Sequence, residues 1–178
     1  VSILAAEELA KLKSEDAMQV LVEHLGSEAY HVRKASATAL VHGFREGVEI
    51  VAGRLESSQE DFNRSTYAQA LLNAGKKGLE ALLKVMSSGK PEAAVSAARV
   101  VLGAVDRLAE EDVPKVFGAL MVAGDNNDAE SIVEILKIAA ALKGRAKGFE
   151  GYVRAFSDYA ASSVRAEAKI ALEEMRAS

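Results

Sequence analysis

Six segments of this chain recur at nearly fixed spacing, and that periodicity limits its fold more than any other feature. Val32-Arg33-Lys34-Ala35-Ser36-Ala37-Thr38-Ala39-Leu40 returns as Val164-Arg165-Ala166-Glu167-Ala168-Lys169-Ile170-Ala171-Leu172. Aligned on the closing leucine, the series is Leu9, Leu40, Leu71, Leu102, Leu142 and Leu172, with intervals of 31, 31, 31, 40 and 30 residues. A period of that size is one supersecondary unit stacked on copies of itself, since a single unit cannot bury its own apolar face. The composition agrees: 49% of residues are hydrophobic, only 5% are aromatic, and there are two prolines, which suits closely packed helices. No stretch alternates with period two, so no strands are expected.

The pattern predicts eleven helices in antiparallel pairs, over 1–12, 15–25, 30–41, 46–55, 60–73, 77–86, 91–105, 111–122, 129–142, 147–159 and 163–175. The expected fold class is all-α, an α-α superhelix or solenoid of about five and a half such pairs. Gly26, Gly43, Gly75 and the run Ser87-Ser88-Gly89 divide or end helices. Asn127 or Asp128 is expected to cap one start, and Pro91 and Pro114 sit near two others, where a missing amide donor costs nothing. The expectation is one helical-repeat domain over 1–178, with an irregular longer unit around 103–142 whose extra residues fall across Asp106 to Asp128. Val1 occupies the place of Val32 and Val164, so the chain opens inside a repeat and reads as a piece of a longer protein.

The motif Val-Arg-x-Ala-x-Ala-x-Ala-Leu, followed by Gly43, resembles the second helix of HEAT repeats of the short, phycobilisome-lyase-like type. The match is close at 32–40 and 164–172 and looser at Asn63-Arg64 to Leu71, while Val95 replaces the arginine in the next unit. An arginine near a helix start opposes the helix dipole and needs a reason to be there. The resemblance implies that Arg33, Arg64 and Arg165 pair with acidic residues of neighbouring turns. The acid expected three residues before the valine is replaced by Ala29 and Ala161, leaving Glu28 and Asp61 as nearby substitutes.

Chemistry is sparse. The net charge of −4 gives no global basic field, so nucleic acid is not an expected partner. No run of about 18 apolar residues exists, so membrane insertion is not expected. There is no cysteine, and His24, His31 and His42 are too scattered for a metal site. The His-Glu dipeptides of repeat-built hydroxylases and the tryptophan of repeat-built DNA glycosylases are both missing. Asp125-Asn126-Asn127-Asp128 lacks the alternation of a calcium loop. No cofactor is expected. Lys143, Arg145 and Lys147, with Lys137, suit the carbonyl-rich end of a helix or an acidic partner.

A partner surface is the stronger expectation. The outward face of the second helices carries Lys34, Thr38, Ser65, Gln69, Ser96 and Arg99, a polar stripe suited to an extended peptide or a partner helix. Tyr30, Phe62 and Tyr67 are candidate anchors, with burial between layers the favoured expectation for Phe62 and Tyr67. Phe149, Tyr152, Phe156 and Tyr159 fall on one predicted helical stripe, either packed within the last unit or free for self-association through the C-terminal repeat. The reading is a non-enzymatic, cytoplasmic protein-interaction or scaffold module. The alternative is a lyase-like repeat domain of a modification enzyme, handling a cofactor or protein substrate.

Overall fold

The computed structural model describes residues 2–88, 90–126 and 128–177; Val1, Gly89 and Asn127, named above, lie outside them. The described residues are all helix and connection. Eleven α-helices follow one another: α1 (Ile3–Leu12), α2 (Glu15–His24), α3 (Tyr30–Gly43), α4 (Gly47–Ser57), α5 (Asp61–Asn73), α6 (Lys76–Met86), α7 (Pro91–Leu102), α8 (Val113–Asp125), α9 (Ala129–Leu142), α10 (Glu150–Arg154) and α11 (Ser162–Arg176). Two compact units, divided between Leu82 and Leu83, contain them.

In the first unit α1, α3 and α5 lie side by side, with α2 and α4 packed against them. Leu21, Leu25, Leu40, Leu55 and Leu71 are fully enclosed and form the aliphatic core between these helices. In the second unit α7, α9 and α11 are the adjacent series, and α8 packs on α9. Its core is Val116, Phe117, Leu120, Ile132, Ile135 and Leu136.

The repeat arginines have a shared structural job. Arg33 Nη1 donates to the carbonyls of Ser27 and Glu28 (the latter at 3.0 Å), six and five residues back. Arg64 Nη1 donates to Ser58 O at 3.0 Å, again six residues back. Arg165 Nη1 reaches Tyr159 O at 2.6 Å and Ala160 O at 2.8 Å. Each side chain folds back past its own helix start and holds the turn that precedes it. A carboxylate ladder forms only in part: Asp61 lies 3.5 Å from Arg64, whereas Glu28 offers Arg33 its backbone oxygen.

Local signals set the boundaries. Ser2, Ser14 and Asp128 accept from the amides of Ala5, Ala17 and Ser131 at 3.2, 3.2 and 3.4 Å, satisfying orphan donors at three helix starts. The helix expected over 91–105 stops at Leu102, and 3₁₀ turns at Val105–Arg107 and Glu110–Asp112 take up the extra length of the long interval. The helix expected over 147–159 is mostly replaced by a 3₁₀ stretch, Lys143–Phe149, and the short α10. Gly144, Gly148 and Gly151 explain this, since each glycine costs a helix about 1 kcal/mol relative to alanine.

Two glycines escaped the sequence reading. A Cβ on Gly47 would overlap the Leu40 carbonyl, and one on Gly78 would overlap the Leu71 carbonyl. These pairs are one 31-residue period apart, so the same chain reversal after each second helix demands glycine. A Cβ on Gly53, inside α4, would meet no atom of another element within 4 Å. Gly47→Ala is therefore expected to destabilise the chain by about 1–3 kcal/mol, and Gly53→Ala to stabilise it by about 0.5–1 kcal/mol. Urea unfolding of the two variants checks both signs; equal effects would contradict the packing described.

Candidate functional site

The neighbouring helices α1, α3 and α5 form two grooves at repeat-equivalent positions. The first, between α1 and α3, has a volume of about 720 Å³ and a floor of Ala10, Ala35, Ala39 and Gly43. Its floor is low because the helices approach closely there: a Cβ on Gly43 would lie 2.7 Å from that of Ala10. Ile3 and Tyr30 stand toward the helix starts, while Lys13 and His42 stand toward the ends. Lys11 and His31 complete its basic edge and Glu7 is its one lining carboxylate. Lys11 already holds Glu8 at 2.6 Å, and that contact raises the lysine's pKa.

The second groove, between α3 and α5, is smaller, about 230 Å³. Lys34, Thr38, Ser65 and Gln69 all line it. These are four of the six residues of the expected polar stripe. Tyr30, Lys34 and Thr38 line both grooves and join them into one surface. The α5 residues Phe62, Ser65, Thr66, Gln69 and Asn73 stand one 31-residue period after His31, Lys34, Ala35, Thr38 and His42. Phe62 and Thr66 in place of His31 and Ala35 add bulk to the lining of the second groove.

Phe62 corrects the expectation of burial: it is 56% exposed. It occupies the lining position of His31, and its ring meets Tyr30 at a centroid distance of 5.3 Å. The Arg33 guanidinium lies 4.9 Å from the Phe62 ring centre and Lys34 Nζ 5.9 Å from that of Tyr30, so both rings back onto cations. Tyr67 is only 3% exposed and its hydroxyl donates to Leu25 O at 2.6 Å.

The other two stripe residues lie in the second unit. Ser96 is 4% exposed and donates to Glu92 O at 2.9 Å, so it offers no surface contact. It belongs to the wide buried arc of α7, which also takes in Ala93, Val95 and Ala97. Arg99 is exposed and faces Glu130 and Glu134 of α9 at 3.9 and 3.8 Å. The late aromatics do not share one helical stripe. Phe149 stacks on Phe117 at 4.6 Å with rings 3° apart, and Tyr152 closes on both. Phe156 is buried against Gly124, where a Cβ would come within 2.8 Å of its ring. Arg145 serves the inserted turns, with Nη1 on Val105 O at 3.1 Å, Nη2 on Leu108 O and Nε on Glu110 at 2.6 Å.

Among the described residues no group of three or more His, Asp or Glu is placed to hold a metal ion, and no helix is long and apolar enough to cross a membrane. His24 is engaged locally, with Nδ1 2.7 Å from Val20 O.

No family model matches the chain, and no curated protein matches it. Among solved structures it is similar to an engineered protein at 22% identity, covering 97% of this chain and 89% of that one, with a TM-score of 0.49. It is also similar to a designed armadillo repeat protein at 15% identity, covering 97% and 92%, with a TM-score of 0.47.

Burial pushes the Tyr67 phenol up, and the positive charges of Arg33 and Arg54 only partly oppose this. The neutral phenol is thus the form the fold favours. Its contribution is complete below the ordinary phenol value of about 10 and is lost as pH rises through the higher folded value. Tyr67→Phe is expected to cost about 1 kcal/mol at neutral pH by leaving Leu25 O without its donor. It should also flatten the loss of stability at alkaline pH, measured by urea unfolding across that range. An unchanged alkaline slope would assign the effect to other groups.

Proposed function

We propose that this chain is a non-enzymatic, HEAT-like interaction module that seats an extended peptide or a partner helix across α3 and α5. The observation that carries the reading is the convergence of Lys34, Thr38, Ser65 and Gln69 in one groove beside two exposed aromatic rings, Tyr30 and Phe62. Exposed aromatics braced by neighbouring cations provide rigid apolar contact area at small entropic cost. The surrounding hydroxyl and amide groups supply hydrogen bonds that adapt to a peptide backbone. Nothing in this groove requires a reaction: its polar groups are neutral apart from Lys34.

Selection from a displayed random-peptide library tests the proposal. Peptides that bind the chain should lose about tenfold in affinity, roughly 1.4 kcal/mol, on Phe62→Ala. That variant should stay folded, losing no more than about 1 kcal/mol for the ring's contact with the Arg33 guanidinium, because Phe62 lies outside the enclosed core. Failure to enrich binders, or binders indifferent to Phe62→Ala, would contradict the assignment.

A further inference from the structure

The α1/α3 groove differs from its repeat-equivalent neighbour in ways that stacking does not require. At matching heights it carries His31 for Phe62, Lys34 for Ser65 and His42 for Asn73. Its volume is about three times larger, 720 against 230 Å³. Positions that serve the repeat keep their residue type from unit to unit, as the arginine does at 33 and 64. The lining positions do not, which frees them for a ligand.

The charges are distributed along the groove. Lys34 stands one period after Ile3, hence level with the start of α1, and Lys13 follows the end of α1. Ten residues of helix separate those levels, about 15 Å at 1.5 Å per residue. Between them run the alanines and Gly43. Among the described residues neither Lys13 nor Lys34 has a carboxylate partner, and Lys34 rests on Tyr30 instead. The lining lysines are three against the single carboxylate of Glu7, in a chain whose net charge is −4. A locally basic groove on an acidic chain selects for negative charge, because a cationic segment is repelled by its lysines and drawn to the acidic remainder of the surface, whereas an anionic segment finds its attraction here.

We infer that the α1/α3 groove binds an acidic peptide segment with an aliphatic centre, its carboxylates meeting Lys34 and Lys13 and its apolar side chains lying on Ala10, Ala35 and Ala39. An extended peptide rises about 3.3 Å per residue, so about five residues span the two lysines. The alanine floor rewards small to medium aliphatic side chains, and the absence of bulk in it excludes no backbone from close approach. This inference rests on the interaction-module reading and specifies the chemistry of its partner.

The probe is a fluorescein-labelled peptide, Glu-Glu-Glu-Leu-Leu-Glu-Glu-Glu, followed by fluorescence anisotropy beside a counterpart with lysine at every glutamate position. The acidic probe should bind, weaken as ionic strength rises, and lose about tenfold in affinity in the double variant Lys13→Gln, Lys34→Gln. Lys169→Gln, which removes an exposed lysine of the second unit, should leave it unchanged. Both lysines are exposed, so the double variant should fold as the parent does. No binding, equal binding of the lysine counterpart, or indifference to the double variant would overturn the inference. Library-selected binders that depend on Phe62 but carry no acidic residues would leave the interaction module standing and remove this groove from it.

Discussion

Three of the repeats turn on a guanidinium, Arg33, Arg64 or Arg165, bent back over the start of its own helix to hold the preceding turn. Arg33 is the fullest case, 3% exposed, with two backbone carbonyls in reach and the Phe62 ring 4.9 Å away. Burying a cation costs several kcal/mol unless its donors and charge are compensated. Two carbonyl oxygens at Nη1 and an aromatic face provide part of that compensation without a carboxylate, while Nε and Nη2 stay buried without an acceptor among the described residues. The carbonyl contacts also fix where the turn ends and the next helix begins, and hence the orientation of Tyr30 and Lys34 on the same helix. The candidate surface depends on this clasp, because both its grooves are lined by residues of α3.

The unit without the arginine behaves differently. Val95 stands at that position in α7, and no cation can hold the preceding turn from there. The long interval follows, and Arg145 restrains its 3₁₀ turns from the other side, through Val105, Leu108 and Glu110. The same chemistry, a guanidinium on backbone carbonyls, is thus used once more from a non-repeat position. The clustered late basic residues gain a structural purpose at Arg145 beyond the end of α9.

Much of this was legible in the sequence, and the reasons are specific. Leucine spacing and alanine-rich faces gave the helices because burial of an aliphatic stripe is a one-dimensional signal. Ala129–Leu142 coincides with its expected span, and nine further helices fall within three residues of theirs. The stretch 147–159 did not, because aromatic spacing of three and four mimics a helix while its glycines work against one. Phe62 and Ser96 were misplaced for a common reason. Periodicity identifies a face but not whether a neighbouring helix covers it, and in α7 the covered arc is wide enough to enclose Ser96. The larger groove was missed because its floor consists of residues that look structural. Comparison of 31, 34 and 42 with 62, 65 and 73 was the available signal, since lining positions diverge where the framework repeats.

The fold class is therefore a consequence of repeated local interactions, and the proposed function is a consequence of where those repeats differ. The most direct test of the clasp compares Arg33→Met with Arg165→Met in equilibrium urea unfolding. Arg33 is buried and Arg165, with the same carbonyl geometry, is exposed to solvent. The account predicts a loss of about 2 kcal/mol for Arg33→Met and less than about 1 kcal/mol for Arg165→Met. Equal small losses at both positions would show that the turns hold themselves and would contradict the clasp.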